Sequence, residues 1–222
     1  MSRKREAKVF TNNQFHPFSA KNSKQKSLFN SLTTYDITFA SGPAGVGKTA
    51  ICASFGAQLL MEGKIDKILV TRPMVTTSEE EIGALPGTLD EKYMEFYAPV
   101  KDIFDEVLGA SHAEMFKRDG KIQALPLAFM RGRTFNRTFM ILDEAQNCVP
   151  AQMKAFLTRI GKESKIAICG DENQSDIKGK NGFTDAMRRL QNEAFISIVK
   201  FEREDIVRNS IISDILACYE GC

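Results

Sequence analysis

The chain has 222 residues, which suffices for one α/β domain with its own hydrophobic core and is too short for two. Its hydrophobic fraction of 43% and net charge of +2 are those of a globular protein, and no apolar run is long enough for a membrane-spanning helix. The five cysteines include no CxxC pair, so we expect reduced thiols in a cytoplasmic protein rather than a disulfide framework or a zinc site.

The N-terminal segment predicts a flexible basic arm over residues 1–19, followed by one folded domain over residues 20–222. Residues 1–26 contain seven lysines or arginines against the single acid Glu6, so the rest of the chain carries a net negative charge. Such an arm is a candidate nucleic-acid contact, because neutralising phosphates releases counterions. The alternative is a solvated tail that keeps the protein soluble.

Short apolar runs alternate with longer helical stretches along the rest of the chain. This alternation predicts an α/β fold with a mostly parallel sheet and helices on both faces. The predicted strands are residues 35–40, 67–71, 122–125, 139–142, 165–169 and 196–201. The predicted helices are residues 48–63, 91–108, 151–159, 183–193 and 206–218, the last with Asp205 as its N-cap, and residues 74–90 form a long loop.

The segment after the first predicted strand carries the pattern G-x-x-x-x-G-K-[ST] over residues 42–49. Its glycines allow a tight turn in which backbone N–H groups converge on an anion, and the helix beginning near Lys48 directs its positive dipole end to the same point. We expect Lys48 to contact the β- and γ-phosphates of ATP and Thr49 to ligate Mg²⁺. The predicted nucleotide-binding residues in this segment are Gly42, Pro43, Ala44, Gly45, Val46, Gly47, Lys48, Thr49 and Ala50.

Two acids, Asp143 and Glu144, follow the apolar strand at residues 139–142. A P-loop needs a carboxylate at the end of a neighbouring strand, so Asp143 is expected to support Mg²⁺ and Glu144 to activate the attacking water. Many P-loop kinases need no such glutamate, whereas a hydrolase does. GTPases are disfavoured as well, because the guanine-reading pattern Asn-Lys-x-Asp is absent.

The strand at residues 165–169 ends in Gly170-Asp171-Glu172-Asn173-Gln174. A polar side chain at the tip of this strand would face the γ-phosphate and respond to its presence. Gln174 and Asp171 are the candidates, and Gln174 is assigned to the catalytic set. An ordinary strand-to-turn Gly-Asp without a ligand is the alternative.

Hydrolysis also requires a cation that neutralises charge on the γ-phosphoryl group, often an arginine finger. The candidates are Arg72, Arg131, Arg133 and Arg208. Arg208 is preferred because it lies on the flank of the apolar stripe of the predicted last helix. A single ATPase lobe has no second lobe to supply a finger, so we expect a homo-oligomer in which Arg208 acts across the interface. A surface ion pair is the alternative for each arginine, and the segment Arg131-Gly132-Arg133 could instead face nucleic acid.

Taken together, these motifs resemble those of the PhoH-family P-loop ATPases. They are, in chain order, Gln25, residues 42–49, Thr71-Arg72-Pro73, Arg131-Gly132-Arg133-Thr134, Leu142-Asp143-Glu144-Ala145-Gln146-Asn147, Gly170-Asp171-Glu172-Asn173-Gln174 and Asp205-Ile206-Val207-Arg208. The resemblance extends from about residue 20 to the C-terminus. The compact length is similar to that of the short form carried by bacteriophages.

The resemblance implies a single RecA-like P-loop NTPase domain related to superfamily 1 helicases, with ATP and Mg²⁺ as cofactors and a link to RNA or phosphate-starvation biology. It also implies that Gln25 contacts the adenine edge. Some members of the family carry an additional nuclease domain of the PIN type. This chain ends without one, so no ribonuclease activity is expected.

Three functions remain open on these grounds. The first is an ATPase coupled to single-stranded RNA or another nucleic acid, which Glu144 favours. The second is a small-molecule P-loop kinase, and the third is a nucleotide-gated interaction module with slow turnover. The chain is too short to hold two RecA-like lobes, so translocation along a strand would require a ring or a pair of subunits.

Overall fold

The computed structural model describes residues 18–73, 89–175, 177 and 179–207. The strands are β1 (Ile37–Ser41), β2 (Lys67–Thr71), β3 (Ile122–Ala124), β4 (Thr138–Leu142), β5 (Lys165–Gly170) and β6 (Ile196–Lys200). The α-helices are α1 (Ser23–Thr34), α2 (Lys48–Met61), α3 (Leu89–Leu108), α4 (Ala110–Arg118), α5 (Pro150–Leu157) and α6 (Gly182–Leu190). Short 3₁₀ helices occupy Leu127–Met130, Ala145–Asn147 and Arg203–Asp205.

The six strands form one sheet in the order β3-β2-β4-β5-β1-β6, and every neighbouring pair is parallel. Parallel strands need crossover connections, which the intervening helices supply. The predicted α/β architecture is therefore confirmed, with all six predicted strands present within two residues of their expected ends.

Strand side chains alternate between two hydrophobic clusters, one on each face of the sheet. Ala40 and Ile141 pack on the face covered by α1, α2, α3 and α4. Phe39 and Met140 pack on the other face, with α5 and α6. Because both faces are covered, β1 and β4 are buried along their whole length.

Helix α1 was not predicted, although residues 20–34 were assigned to the folded domain. Asn22 caps its N-terminus, where its side chain accepts a hydrogen bond from the Gln25 N–H. Gln25, Leu28 and Leu32 are buried, so one face of this helix faces the core although its sequence is polar on average. Helix α4 was also missed, because Gly109 interrupts the helical pattern.

The predicted helix at residues 206–218 does not begin where expected. Ile206 is extended, with φ −64° and ψ 121°, and the preceding Arg203–Asp205 is a 3₁₀ turn. The Asp205 carboxylate accepts a hydrogen bond from the Glu202 N–H, on its N-terminal side. Residues 208–222, like residues 1–17 of the predicted arm and residues 74–88 of the predicted long loop, lie outside the described residues.

The strand order places three loops side by side at the carboxyl edge of the sheet. β5 lies between β1, which precedes the Gly-rich loop, and β4, which precedes Asp143. The turn after β5 therefore sits between the phosphate loop and the acid pair. Ligands of open α/β sheets bind at this edge, so the topology brings the predicted site together.

Candidate functional site

The Gly-rich loop adopts the conformation that its glycines permit. Gly42, Gly45 and Gly47 have φ values of 146°, 89° and 89°. A Cβ on Gly42 would lie 2.6 Å from the Phe201 carbonyl oxygen, so both its backbone angle and its surroundings require glycine. Helix α2 begins at Lys48, immediately after the loop. The loop therefore directs a helix N-terminus at the space above it, as an anion site requires.

A pocket of about 750 Å³ opens above this loop. The predicted residues that line it are Gln25, Ala44, Gly45, Gly47, Lys48, Thr49, Ala50, Asp143, Glu144 and Gln174. Gly42, Pro43 and Val46 shape the loop from beneath, since the Gly42 and Pro43 carbonyls accept hydrogen bonds from Lys48 Nζ at 2.6 and 2.9 Å. Val46 is fully buried.

Thr49 and Asp143 meet at the centre of the pocket. The Thr49 hydroxyl donates to Asp143 Oδ1 at 2.8 Å, and Asp143 is 5% exposed. A hydroxyl beside a carboxylate is an oxygen donor set that suits Mg²⁺, which takes few protein ligands and fills its shell with water and phosphate. Among the described residues no group of three or more His, Cys, Asp or Glu side chains could hold a metal. The oxygen atoms of Thr49 and Asp143 are thus compatible with the few protein ligands that Mg²⁺ takes.

Arg72 also contacts Asp143, which was not foreseen. Its Nε and Nη2 atoms donate to Asp143 Oδ2 at 3.0 and 2.6 Å. The arginine follows β2, and the two strands β2 and β4 are neighbours, so their ends lie together. Arg72 therefore supplies a positive charge beside the buried carboxylate.

Glu144 has left-handed backbone angles, φ 53° and ψ 41°, at the junction between β4 and the 3₁₀ turn Ala145–Asn147. Its side chain is exposed to the pocket, and its Oε2 atom accepts a hydrogen bond from Gln146 Nε2 at 2.7 Å. Gln146 Oε1 in turn accepts from the Asp171 N–H at 3.1 Å. Sequence reasoning gave Gln146 no separate role, yet this buried amide connects the acid pair to the turn after β5.

The turn after β5 carries two polar contacts to its neighbours. Gln174 lines the pocket, while its N–H donates to the Asp171 carbonyl at 3.4 Å. Glu172 accepts a hydrogen bond from the Ser41 hydroxyl at 2.9 Å and an ion pair from Lys200 at 2.8 Å. The turn is thereby linked to both β1 and β6 as well as to the acid pair.

Gln25 lies on α1 and is 3% exposed, beneath the phosphate loop. Its Nε2 atom donates to the Val46 carbonyl at 2.9 Å, and its Oε1 atom accepts from the Lys21 N–H at 2.8 Å. It also lines the pocket. The amide thus joins α1 to the loop.

Three of the four candidate arginines lie in the described residues, and they do not share one site. Arg72 lines the pocket and is engaged by Asp143. Arg131 lines a different groove, between the Leu127–Met130 turn and α5, and Arg133 lies 4.9 Å above the Phe135 ring. Arg208 lies outside the described residues. Arg131 and Arg133 therefore do not belong to the phosphate pocket.

Two cysteines lie beside the site. Cys52 on α2 and Cys169 on β5 are both fully buried, with their sulfur atoms 3.6 Å apart. The hydrogen bond with Cys52 and burial raise the pKa of the Cys169 thiol. The Cys169 thiol is therefore protonated at neutral pH and packs against Cys52. Within the described residues, no helix is both long and apolar enough to cross a lipid bilayer.

A sequence model of the family described as "PhoH-like protein" matches residues 17–220. The chain is 40% identical to Protein PhoH of Escherichia coli K12 over 207 residues, which cover 91% of this chain and 58% of that protein. It is 39% identical to the PhoH-like protein of Bacillus subtilis 168, over 97% of this chain and 68% of that one. The chain thus spans little more than half the length of the Escherichia coli protein.

The fold is similar to that of the large terminase from the thermophilic bacteriophage D6E, solved in complex with ADP. The TM-score is 0.53 at 11% sequence identity, and the match covers 87% of this chain and 48% of the terminase. At this identity the likeness concerns the fold alone. With a family match across residues 17–220 and the phosphate loop in place, the chain belongs to the PhoH-like family.

Proposed function

We propose that this protein hydrolyses Mg·ATP at the pocket above the Gly-rich loop. We also propose that hydrolysis is coupled to the binding of a single-stranded nucleic acid, with RNA as the first candidate. The observation that carries the proposal is the convergence of Lys48, Thr49, Asp143 and Glu144 on one pocket of about 750 Å³. These side chains would supply the phosphate-binding, metal-binding and water-activating groups that nucleotide hydrolysis needs.

The loop residues would bind the phosphates. Lys48 is at present held by two loop carbonyls, and the same ammonium group would turn to the β- and γ-phosphates when a nucleotide enters. Thr49 and Asp143 would hold Mg²⁺, which supplies positive charge to the phosphate oxygens. Gln25 is proposed to contact adenine, and the supporting observation is that it lines the pocket at the start of α1.

Glu144 is proposed as the general base. Its carboxylate would take a proton from a water molecule, whose oxygen forms a bond to the γ-phosphorus as the bond to the bridging oxygen of ADP breaks. Gln146 occupies one carboxylate oxygen and leaves the other available for that proton. Gln174, which lines the same pocket, is proposed to sense the γ-phosphate.

A homo-oligomer is part of the proposal. Among the described residues the cations that line the pocket are Lys21, Lys48 and Arg72, and Arg72 is engaged by Asp143. A further arginine at the γ-phosphate would therefore have to come from elsewhere, and Arg208 of a neighbouring subunit is the proposed donor.

Steady-state release of phosphate from ATP tests the proposal, measured without polymer, with poly(U) RNA and with single-stranded DNA. We expect magnesium-dependent turnover that rises with polymer, more with RNA than with DNA. Glu144→Gln should bind Mg·ATP and hydrolyse it at least tenfold more slowly, because an amide of the same size cannot accept the proton. Lys48→Ala should lose both binding and turnover.

The controls separate the remaining alternatives. Wild-type turnover that is unaffected by either polymer would leave an ATPase and remove the coupling. Turnover by folded Glu144→Gln at the wild-type rate would show that Glu144 is not the base, and would favour phosphoryl transfer to another acceptor. Nucleotide binding without measurable turnover would favour a nucleotide-gated interaction module.

A further inference from the structure

A second concave site lies apart from the nucleotide pocket, between the 3₁₀ turn Leu127–Met130 and helix α5. It is a groove of about 310 Å³ whose walls are mostly apolar, formed by Leu127, Met130, Ala151, Ala155 and Phe156 with Arg131 at its side. A groove of this kind holds a ligand that has apolar faces and polar or charged edges. Nothing in the nucleotide chemistry described above uses it.

The surroundings of the groove are positively charged. Arg131 and Arg133 are exposed on either side of Gly132, whose φ of 74° turns the chain sharply between them. None of the ion pairs among the described residues involves either arginine, and no carboxylate lines the groove. Two exposed cations that make no ion pair and lie beside an apolar wall are complementary to a polyanion. They are less suited to a protein surface on which acidic and basic residues alternate.

Arg133 is held in place before any ligand arrives. Its guanidinium lies 4.9 Å above the Phe135 ring, an attractive cation–π arrangement. Its carbonyl accepts a hydrogen bond from Arg159 Nη1 at 3.3 Å, and Arg159 Nε is bonded to the Ala155 carbonyl on α5 at 3.0 Å. Arg159 therefore connects the segment that carries Arg133 to α5, and the Arg133 side chain loses little conformational freedom on binding.

Each wall of the groove also connects to the nucleotide pocket. The Leu127 N–H donates to the Arg72 carbonyl at 3.4 Å, and the side chain of Arg72 holds Asp143. On the other side, α5 follows the 3₁₀ turn that carries Gln146, the partner of Glu144. A ligand that widens or narrows the groove would act on Asp143 through the wall that contains Leu127. It would act on Glu144 through the wall formed by α5.

We infer that this groove is the docking site for single-stranded nucleic acid, with bases against the apolar wall and backbone phosphates on Arg131 and Arg133. Proteins that bind single strands combine apolar surfaces for bases with cations along the backbone, and arginine also stacks on bases. The inference rests on the proposed coupling to nucleic acid and adds where the strand binds and how its binding reaches Asp143 and Glu144.

The double variant Arg131→Ala/Arg133→Ala tests the charge. Binding of a fluorescein-labelled oligo(U) RNA and of the matching oligo(dT) is followed by anisotropy at several salt concentrations. Two lost phosphate contacts should make the slope of log affinity against log salt shallower by about 1.4, at about 0.7 for each contact to a single strand. The variant Lys64→Ala/Arg118→Ala removes two exposed cations away from the groove and should keep the wild-type slope.

Ala155, an exposed groove residue on α5, offers a matched pair of variants that tests the location. Ala155→Glu places a negative charge in the groove and should weaken RNA binding at least tenfold. Ala155→Lys has a similar length and opposite charge, and should bind RNA as tightly as the wild type or more tightly. Each variant's turnover with RNA is divided by its own turnover without RNA, and this ratio should fall only for Ala155→Glu and the double arginine variant.

Several outcomes would overturn the inference. If the folded double arginine variant keeps the wild-type RNA affinity and salt slope, the nucleic acid binds elsewhere. An equal loss of RNA affinity in Ala155→Glu and Ala155→Lys would indicate that the groove holds an apolar occupant such as a protein segment. Wild-type ATP turnover with no affinity for either polymer would remove the groove's role and leave the hydrolysis standing. RNA binding that depends on Arg131 and Arg133 in a protein without turnover would support the groove and refute the proposed hydrolysis.

Discussion

The ion pair between Arg72 and Asp143 allows a quantitative test of its contribution to the stability of the protein. The Asp143 side chain is 7% exposed and the Arg72 side chain 25% exposed, with 2.6 Å between the charged atoms. Arg72→Met keeps the volume and removes the charge, which leaves the carboxylate with the Thr49 hydroxyl as its remaining described partner. Removing one partner of a buried ion pair lowers stability by more than the intact pair raises it, because the other charge stays desolvated.

We expect Arg72→Met to lower the free energy of unfolding by about 2–3 kcal/mol, since water can enter from the open side of the pocket and reduce the full penalty. For a domain of this size, that corresponds to a fall in Tm of roughly 5–10 °C. Asp143→Asn should cost less, because the arginine is partly exposed and can be hydrated. The double variant should be more stable than the sum of the two changes predicts, with a coupling energy of about 1–2 kcal/mol.

Thermal unfolding by circular dichroism, with and without Mg·ATP, measures both effects. Because a bound metal would replace the charge of Arg72 at Asp143, Mg·ATP should raise the Tm of Arg72→Met by more than it raises that of the wild type. An unchanged Tm in Arg72→Met, together with additivity of the two variants within about 0.5 kcal/mol, would refute the reasoning.

Three further predictions concern the loop, the interface and the buried thiols. Gly42→Ala should abolish ATP binding, measured by fluorescence of a labelled nucleotide, because a Cβ there would lie 2.6 Å from the Phe201 carbonyl oxygen at a φ of 146°. Mixtures of inactive Arg208→Ala and inactive Lys48→Ala subunits should regain ATPase activity if the arginine acts in trans. A mixture that co-assembles and stays inactive would show that it does not. Burial raises the pKa of the Cys148 thiol to about 12, so this thiol should resist iodoacetamide at pH 8 until the protein unfolds, as counted by mass spectrometry. The same protection is expected for the other buried cysteines, Cys52 and Cys169.

Local sequence determined the strands and the phosphate loop. Residues 138–142 and 165–170 are short apolar runs bounded by polar residues or glycine, and both form buried parallel strands. The loop was recognisable because its requirements are local, namely glycines at the positions of positive φ and a lysine at the start of a helix. The acid pair followed from its position after a buried strand, since strands of a parallel sheet end at one edge.

Sequence reasoning failed where the decisive partner is distant in the chain or the pattern is weak. Helix α1 has few apolar residues, so its sequence does not indicate which face packs on the core. In the structure this face carries Gln25, which is buried against the phosphate loop. The helix expected to start at Ile206 rested on Asp205 as a cap, whereas that carboxylate bonds to the Glu202 N–H. A capping residue can serve either role, and local sequence does not choose between them.

The sequence by itself determined the family, the α/β class and the identity of the phosphate loop, because each is readable from short motifs and their order along the chain. Only the tertiary structure decided that Arg72 holds Asp143, 71 residues away, and that Gln146 joins Glu144 to the turn after β5. It also placed Arg131 on a second groove, outside the lining of the pocket above the Gly-rich loop. These contacts depend on the strand order β3-β2-β4-β5-β1-β6, which is set by the packing of the whole core and not by spacing along the chain.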